Sequence, residues 1–181
     1  MYRLEFSCEE FVGLSSTEAV KYIGMLEDKN LQKAISGALR YLSYRPRSES
    51  ETRARLRRNY HSQIVEAAIE RLKEIRLLDD NVFATDWSHS RISFRPRSRA
   101  LIRMELLKKG VDREVAEGVL DKVDDEENAY KAGIQIAKSL ANADYPSFRR
   151  RMWGYLRRRA FDQSIIRKTV KRVWEEREIA N

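Results

Sequence analysis

The three prolines of this 181-residue chain, Pro46, Pro96 and Pro146, stand 50 residues apart, and such regularity restricts the chain to an internally repeated fold. The flanking residues repeat with them. Ser43–Ser48 reads SYRPRS, Ser93–Ser98 reads SFRPRS, and Asp144–Ser147 keeps a reduced form, DYPS. Downstream of each proline the same apolar series returns: Tyr60, Ile64, Val65, Ile69 and Leu72, then Val111, Val115, Ala116, Leu120 and Val123, then Phe161, Ile165, Ile166, Val170 and Val173. Spacings of four, one, four and three place each set on one stripe of an α-helix, which neighbouring helices must cover.

A second helix is predicted between each proline and its stripe, starting after Ser48, Ser98 and Ser147 as N-caps, with Ser48 and Glu51 spaced as a capping box. A proline just ahead of the cap suits a helix boundary, because it lacks an N–H and drives Arg45 or Arg95 toward extended backbone. The second and third helices are divided by RRNYH, KKGVD and RRAFD. In these turns Gly110 suits a left-handed C-cap, and Asp112 and Asp162 suit N-caps. First helices are predicted at roughly 30–43, 80–94 and 125–142, two of them opened by the acidic pairs Asp79-Asp80 and Asp124-Asp125. The expectation is an all-α fold of nine helices of about 12–16 residues, each about 18–24 Å long. They form three tandem three-helix repeats, 30–78, 79–123 and 124–181, stacked into an elongated, curved body. Residues 1–29 stand outside the repeat, with alternation at 2–6 suggesting a short strand and Ser15 with Glu18 suggesting a helix near 16–28.

Composition agrees with helix and excludes several function classes. Only seven glycines are present, and no Asn-Gly, Asp-Gly or Gly-Gly pair is there to join paired strands. The single cysteine, Cys8, has no internal partner, and no apolar run is long enough for a signal peptide or a membrane span, so a cytoplasmic monomer is expected. His61 and His89 are too far apart in sequence to suggest a metal pair, and no phosphate-binding glycine loop or nucleophile motif occurs. The acidic run Asp124–Glu127 reads as a helix start. No catalytic residue, metal or cofactor is expected.

The formal charge of +8 is unevenly distributed. Residues 1–30 hold three Lys/Arg against six Asp/Glu, 3 − 6 = −3, whereas residues 149–172 hold ten against Asp162 alone, 10 − 1 = +9. Arg149, Arg150, Arg151, Arg157, Arg158 and Arg159 belong to one predicted helix, and Arg167, Lys168, Lys171 and Arg172 to the next. Like charges so spaced repel, so an anionic partner is the natural counterweight. A second candidate set lies at the proline turns: Arg45, Arg47, Arg95, Arg97 and Arg99, joined by Lys108 and Lys109. Guanidinium forks there suit phosphate or carboxylate, and the structural alternative is that they cap the preceding helix. Trp87, Trp153 and Trp174 fit a packed core better than base stacking.

The segments RPRSRALIRMELLKKGVD (Arg95–Asp112) and LLDDNVFATDW (Leu77–Trp87), together with ALRYLSYRPRSESETRARL (Ala38–Leu56), resemble the signature of the RecX family. The likeness covers about residues 30–175, with DYPS departing from it in the third repeat. The resemblance implies three tandem three-helix repeats and binding within the groove of the RecA filament on single-stranded DNA. It further implies inhibition of RecA ATPase and strand exchange, and so modulation of recombination and the SOS response. The residues themselves leave open a sequence-independent DNA-binding protein, or a helical protein–protein scaffold.

Overall fold

In the computed structural model, residues 29–180 are described; the strand expected at 2–6, the helix expected near 16–28 and Cys8 lie outside them. Nine α-helices and one 3-10 turn, with no strand, make up the described residues. They fall into two compact units: the described residues up to Pro46 with Thr52–Leu78, and Arg47–Glu51 with everything from Asp79 on.

In the first unit, α1 (Lys29–Leu42) packs on α3 (Ser62–Glu74). Ala34 and Ala38, four residues apart and fully buried, give α1 a small-residue face for that contact, while Val65, Ile69 and Leu72 supply the bulk. Between them in sequence runs α2 (Glu49–Leu56), of which Thr52–Leu56 belong to this unit, with Thr52 and Leu56 buried.

The second unit holds two further cores. One joins α4 (Asp80–Phe94), α5 (Arg99–Lys108) and α6 (Arg113–Leu120) around Phe83, Ile102, Leu106, Ala116 and Leu120. The other joins α7 (Asp125–Ala137), a 3-10 turn (Lys138–Leu140), α8 (Tyr145–Arg157) and α9 (Gln163–Ala180) around Phe148, Met152, Leu156, Ile166 and Val173. A side chain at Gly133 would bring a Cβ to 3.0 Å from Thr169 Cγ2, so the glycine is what lets α7 approach α9. The 50-residue period survives as burial. Ser48, Ser98 and Phe148 are fully buried, as are Thr52, Ile102 and Met152, and Leu56, Leu106 and Leu156 close the series one turn further on.

Helix lengths depart from the uniform expectation: α2 and α6 have 8 residues and α5 has 10, whereas α9 has 18. Because α6 stops at Leu120, Val123 of the apolar stripe sits beyond the helix, leaving Asp124 free to cap α7 through Glu126 N at 2.8 Å. Ser48 forms the expected capping box, accepting from Glu51 N at 3.1 Å while its own N–H donates to Glu51 Oε2 at 3.3 Å. Ser98 caps α5 through Leu101 N at 3.2 Å. The third repeat differs: Asp144, not Ser147, is the cap, accepting from Ser147 N at 3.2 Å. Pro146 lies inside the first turn of α8, where no intrahelical donor is missed. Phe148 takes the buried place of the capping serines, so α8 must begin earlier and needs another cap.

Asp112 and Asp162 cap α6 and α9, at 2.8 Å to Glu114 N and 2.8 Å to Ser164 N. Gly110 is left-handed, φ 77, and completes a Schellman motif: its N–H donates to Leu107 O at 2.9 Å and Val111 N to Leu106 O at 3.1 Å. Ala160, φ 60, and Arg76, φ 55, close α8 and α3 with the same bond pattern.

Candidate nucleic-acid interface

Within the second unit the serine after each of the first two prolines donates to a carbonyl of the next repeat, through its hydroxyl at Ser48 and its backbone N–H at Ser98, and the following N–H donates to a helix-starting aspartate. Ser48 Oγ donates to Lys109 O at 2.6 Å and Glu49 N to Asp80 Oδ1 at 2.8 Å; fifty residues on, Ser98 N donates to Arg159 O at 3.1 Å and Arg99 N to Asp125 Oδ1 at 2.6 Å. The helix-starting aspartates thus serve as acceptors for another helix. Burial pushes the Asp125 carboxyl up, against the lowering effect of the Arg99 backbone N–H and charge.

These contacts bring together cations that are far apart in sequence and engage several of them internally. Arg97 and Arg91 share Glu105, Arg91 at 2.8 Å, and Trp87 donates to the same carboxylate at 2.9 Å. Burial lowers the Arg97 pKa, and the nearby charges of Arg91, Arg159 and Arg95 lower it further. Arg159 stacks on Tyr155 at 3.5 Å and donates to Tyr155 O, its pKa lowered chiefly by burial. Lys109 pairs with Glu51 at 3.2 Å beneath the Trp87 ring, Arg47 lies 4.0 Å from Glu51, and Arg99 lies 3.6 Å from Glu117. Arg45 donates to Pro46 O at 3.0 Å, while Lys108 and Arg95 are exposed. Trp174 meets Tyr145 and Phe148 edge-on at 5.1 and 5.0 Å, the packed environment expected for it.

The third repeat presents its cations differently. Lys168 pairs with Glu126 at 2.7 Å, Lys171 with Glu175 at 3.7 Å, and Arg172 with Glu176 at 2.9 Å while lying over Tyr130. Arg149, Arg150, Arg151, Arg157, Arg158 and Arg167 are exposed and form no ion pair among the described residues. The repeat itself supplies a reason for one of them. In the first repeat Arg53 of α2 pairs with Glu66 of α3 at 2.9 Å, and in the second Arg103 of α5 pairs with Glu117 of α6 at 2.7 Å. Fifty residues further on the corresponding pair is Trp153 and Arg167. The carboxylate has become a cation, and its former partner an aromatic ring. Trp153 borders a shallow cleft of about 410 Å³ with Tyr145, Pro146, Arg149 and Arg150, so guanidinium groups and aromatic edges share one surface.

Sequence reading overlooked Arg91 and Arg103, whose carboxylates Glu105 and Glu117 lie on other helices and are visible only in space, and a set on α1 and α2, Lys33, Arg40 and Arg55. A signal for the latter existed: Lys33, Arg40, Tyr41 and Tyr44 are spaced along one helical face. Among the described residues no group of His, Cys, Asp or Glu could hold a metal ion, and no helix is long and apolar enough to cross a membrane.

The architecture and this surface define a tandem three-helix-repeat protein with a cationic third repeat. Residues 34–72 match the family model "RecX, first three-helix domain" and residues 79–120 match "RecX, second three-helix domain". A protein named "Regulatory protein RecX" from Chlorobium limicola is 30% identical over 83% of this chain and 95% of its own length, and one of the same name from Prosthecochloris aestuarii is 32% identical over 80% and 96%. The chain belongs to the RecX family. The crystal structure of RecX from Lactobacillus salivarius shares the fold, with a TM-score of 0.66 and 23% identity over 79% of this chain and 96% of that one.

Proposed function

We propose that this chain is a non-enzymatic cytoplasmic regulator of homologous recombination and of the SOS response. It binds as a monomer within the groove of the RecA filament on single-stranded DNA and inhibits RecA ATPase and strand exchange. Membership in a family whose relatives are named regulatory proteins supports this reading. The single observation that carries the placement of the binding surface is the inversion of sign at Arg167, where the two earlier repeats keep Glu66 and Glu117 for internal pairing. Unpaired guanidinium groups on α8 and α9 suit the phosphates and acidic side chains of a nucleoprotein groove. Arg95, Arg97 and Arg99 border the same unit, and there the internal ion pairs make a positioning role the simpler one.

The test is RecA ATPase on single-stranded DNA at a salt concentration where this protein no longer binds naked DNA. Substoichiometric inhibition is expected to persist, and Arg167→Glu is expected to weaken it. Inhibition that merely follows DNA occupancy would instead make the chain a sequence-independent DNA-binding protein.

A further inference from the structure

The first unit contains a cleft of about 640 Å³, within the ~300–1,000 Å³ range of ligand sites, formed by α1, α2 and the turn that follows α2. Lys33, Arg40 and Tyr41 line it from α1, Tyr44 stands at its mouth, and Arg55 and Tyr60 face them. Among the described residues no acidic side chain borders it, and Lys33, Arg40 and Arg55 form no ion pair. The Tyr44 ring is 79% exposed, an arrangement that core packing does not explain. Gly37 lines the cleft, and a Cβ built there would meet nothing within 4 Å, so a larger side chain at this position has open space to enter.

We infer that this cleft is a single-stranded nucleic-acid site, in which the exposed Tyr44 ring stacks on an unpaired base and the three cations hold the adjoining phosphates. An acidic peptide would satisfy Lys33, Arg40 and Arg55 but leave the exposed Tyr44 ring without use. A nucleotide supplies a π-face and a phosphate together, and stacking is indifferent to which base is present. The inference goes beyond the filament reading, since it concerns another repeat and requires no RecA.

The experiment uses the full chain and two labelled ligands, a short oligothymidylate and an oligomer of equal length that lacks bases, with binding followed by fluorescence anisotropy. The wild type is expected to prefer the ligand with bases. Tyr44→Ala, at a position too exposed to support the core, should lower oligothymidylate affinity about fivefold or more and leave the base-free ligand unaffected. Gly37→Leu, which fills the cleft from a position with open space, should do the same while retaining helical circular dichroism. Reversing Arg149–Arg151 should weaken both ligands alike. Absence of a preference in the wild type, or a preference unchanged by both Tyr44→Ala and Gly37→Leu, would overturn the site, and displacement of the oligonucleotide by polyglutamate at equal charge would reassign it to acidic peptides. RecA inhibition is read separately, so failure here and failure of the filament reading are distinguishable.

Discussion

Three residues in left-handed backbone show how much one side chain decides. At Gly110 a Cβ would lie 2.3 Å from Ser50 Cβ and Oγ, so Gly110→Ala combines a backbone penalty of about 1–2 kcal/mol with a clash against the neighbouring repeat's helix start. Urea unfolding followed by circular dichroism should show a loss of at least that size. Ala160 holds the same conformation without the glycine that would accommodate it. Relief of its strain, partly offset by the greater chain entropy of an unfolded glycine, makes Ala160→Gly stabilising by up to about 1 kcal/mol. An unchanged or lower midpoint would contradict that reading of the turn. Gly110 was legible in the sequence because glycine is the residue this conformation favours, whereas Arg76 and Ala160 were not, since any residue type is compatible with a helix end until the bond pattern is known.

At the scale of the element, caps decide where helices begin. Ser98 is fully buried and caps α5 while its own N–H reaches Arg159 O, so Ser98→Ala should cost about 1–2 kcal/mol, measurable in the same unfolding assay. Asp144 and Asp162 are held below the usual carboxylate pKa, first by hydrogen bonds from the side chains of Ser147 and Ser164 and then from their backbone N–H groups. A depressed folded pKa gives stability that is present above the unfolded value of about 3.9 and is lost as pH falls below it. Asp125 opposes this trend: its raised pKa penalises the charged form, so its protonation in acid favours the fold. The thermal midpoint is therefore expected to fall as pH drops below about 4, less steeply in Asp144→Asn with Asp162→Asn, whereas Asp125→Asn removes a gain that the wild type makes as pH falls toward about 4 from above; profiles identical to the wild type would refute these assignments. The sequence made Ser48, Ser98, Asp112 and Asp162 recognisable as caps because a cap is a local bond spanning two or three residues. It misled at Ser147, because the burial that reserves position 148 for Phe is a property of the third core.

For the whole molecule, the decisive quantity is which cations remain available to a partner. Six arginines of α8, its C-cap and α9 that form no ion pair among the described residues give an expected slope of about 4 in a log–log plot of affinity against salt, at ~0.7 per phosphate contact on single strands. Charge reversal at Arg149–Arg151 should weaken filament binding more than reversal at Lys29, and equal losses would show that the surface lies elsewhere. By itself the sequence determined the helical repeat, its 50-residue period, most caps, the apolar stripes and the family resemblance, because each rests on periodicity or on bonds between residues close in the chain. Only the tertiary structure decided that Arg97, Lys109 and Arg159 are committed to contacts within the protein, that Trp87 meets Glu105, and that tyrosines line an open basic cleft on α1. Ion pairing and stacking are through-space interactions between segments such as Glu51 and Lys109, 58 residues apart, and repetition copies an arginine from one unit to the next without fixing which carboxylate, if any, will stand opposite it.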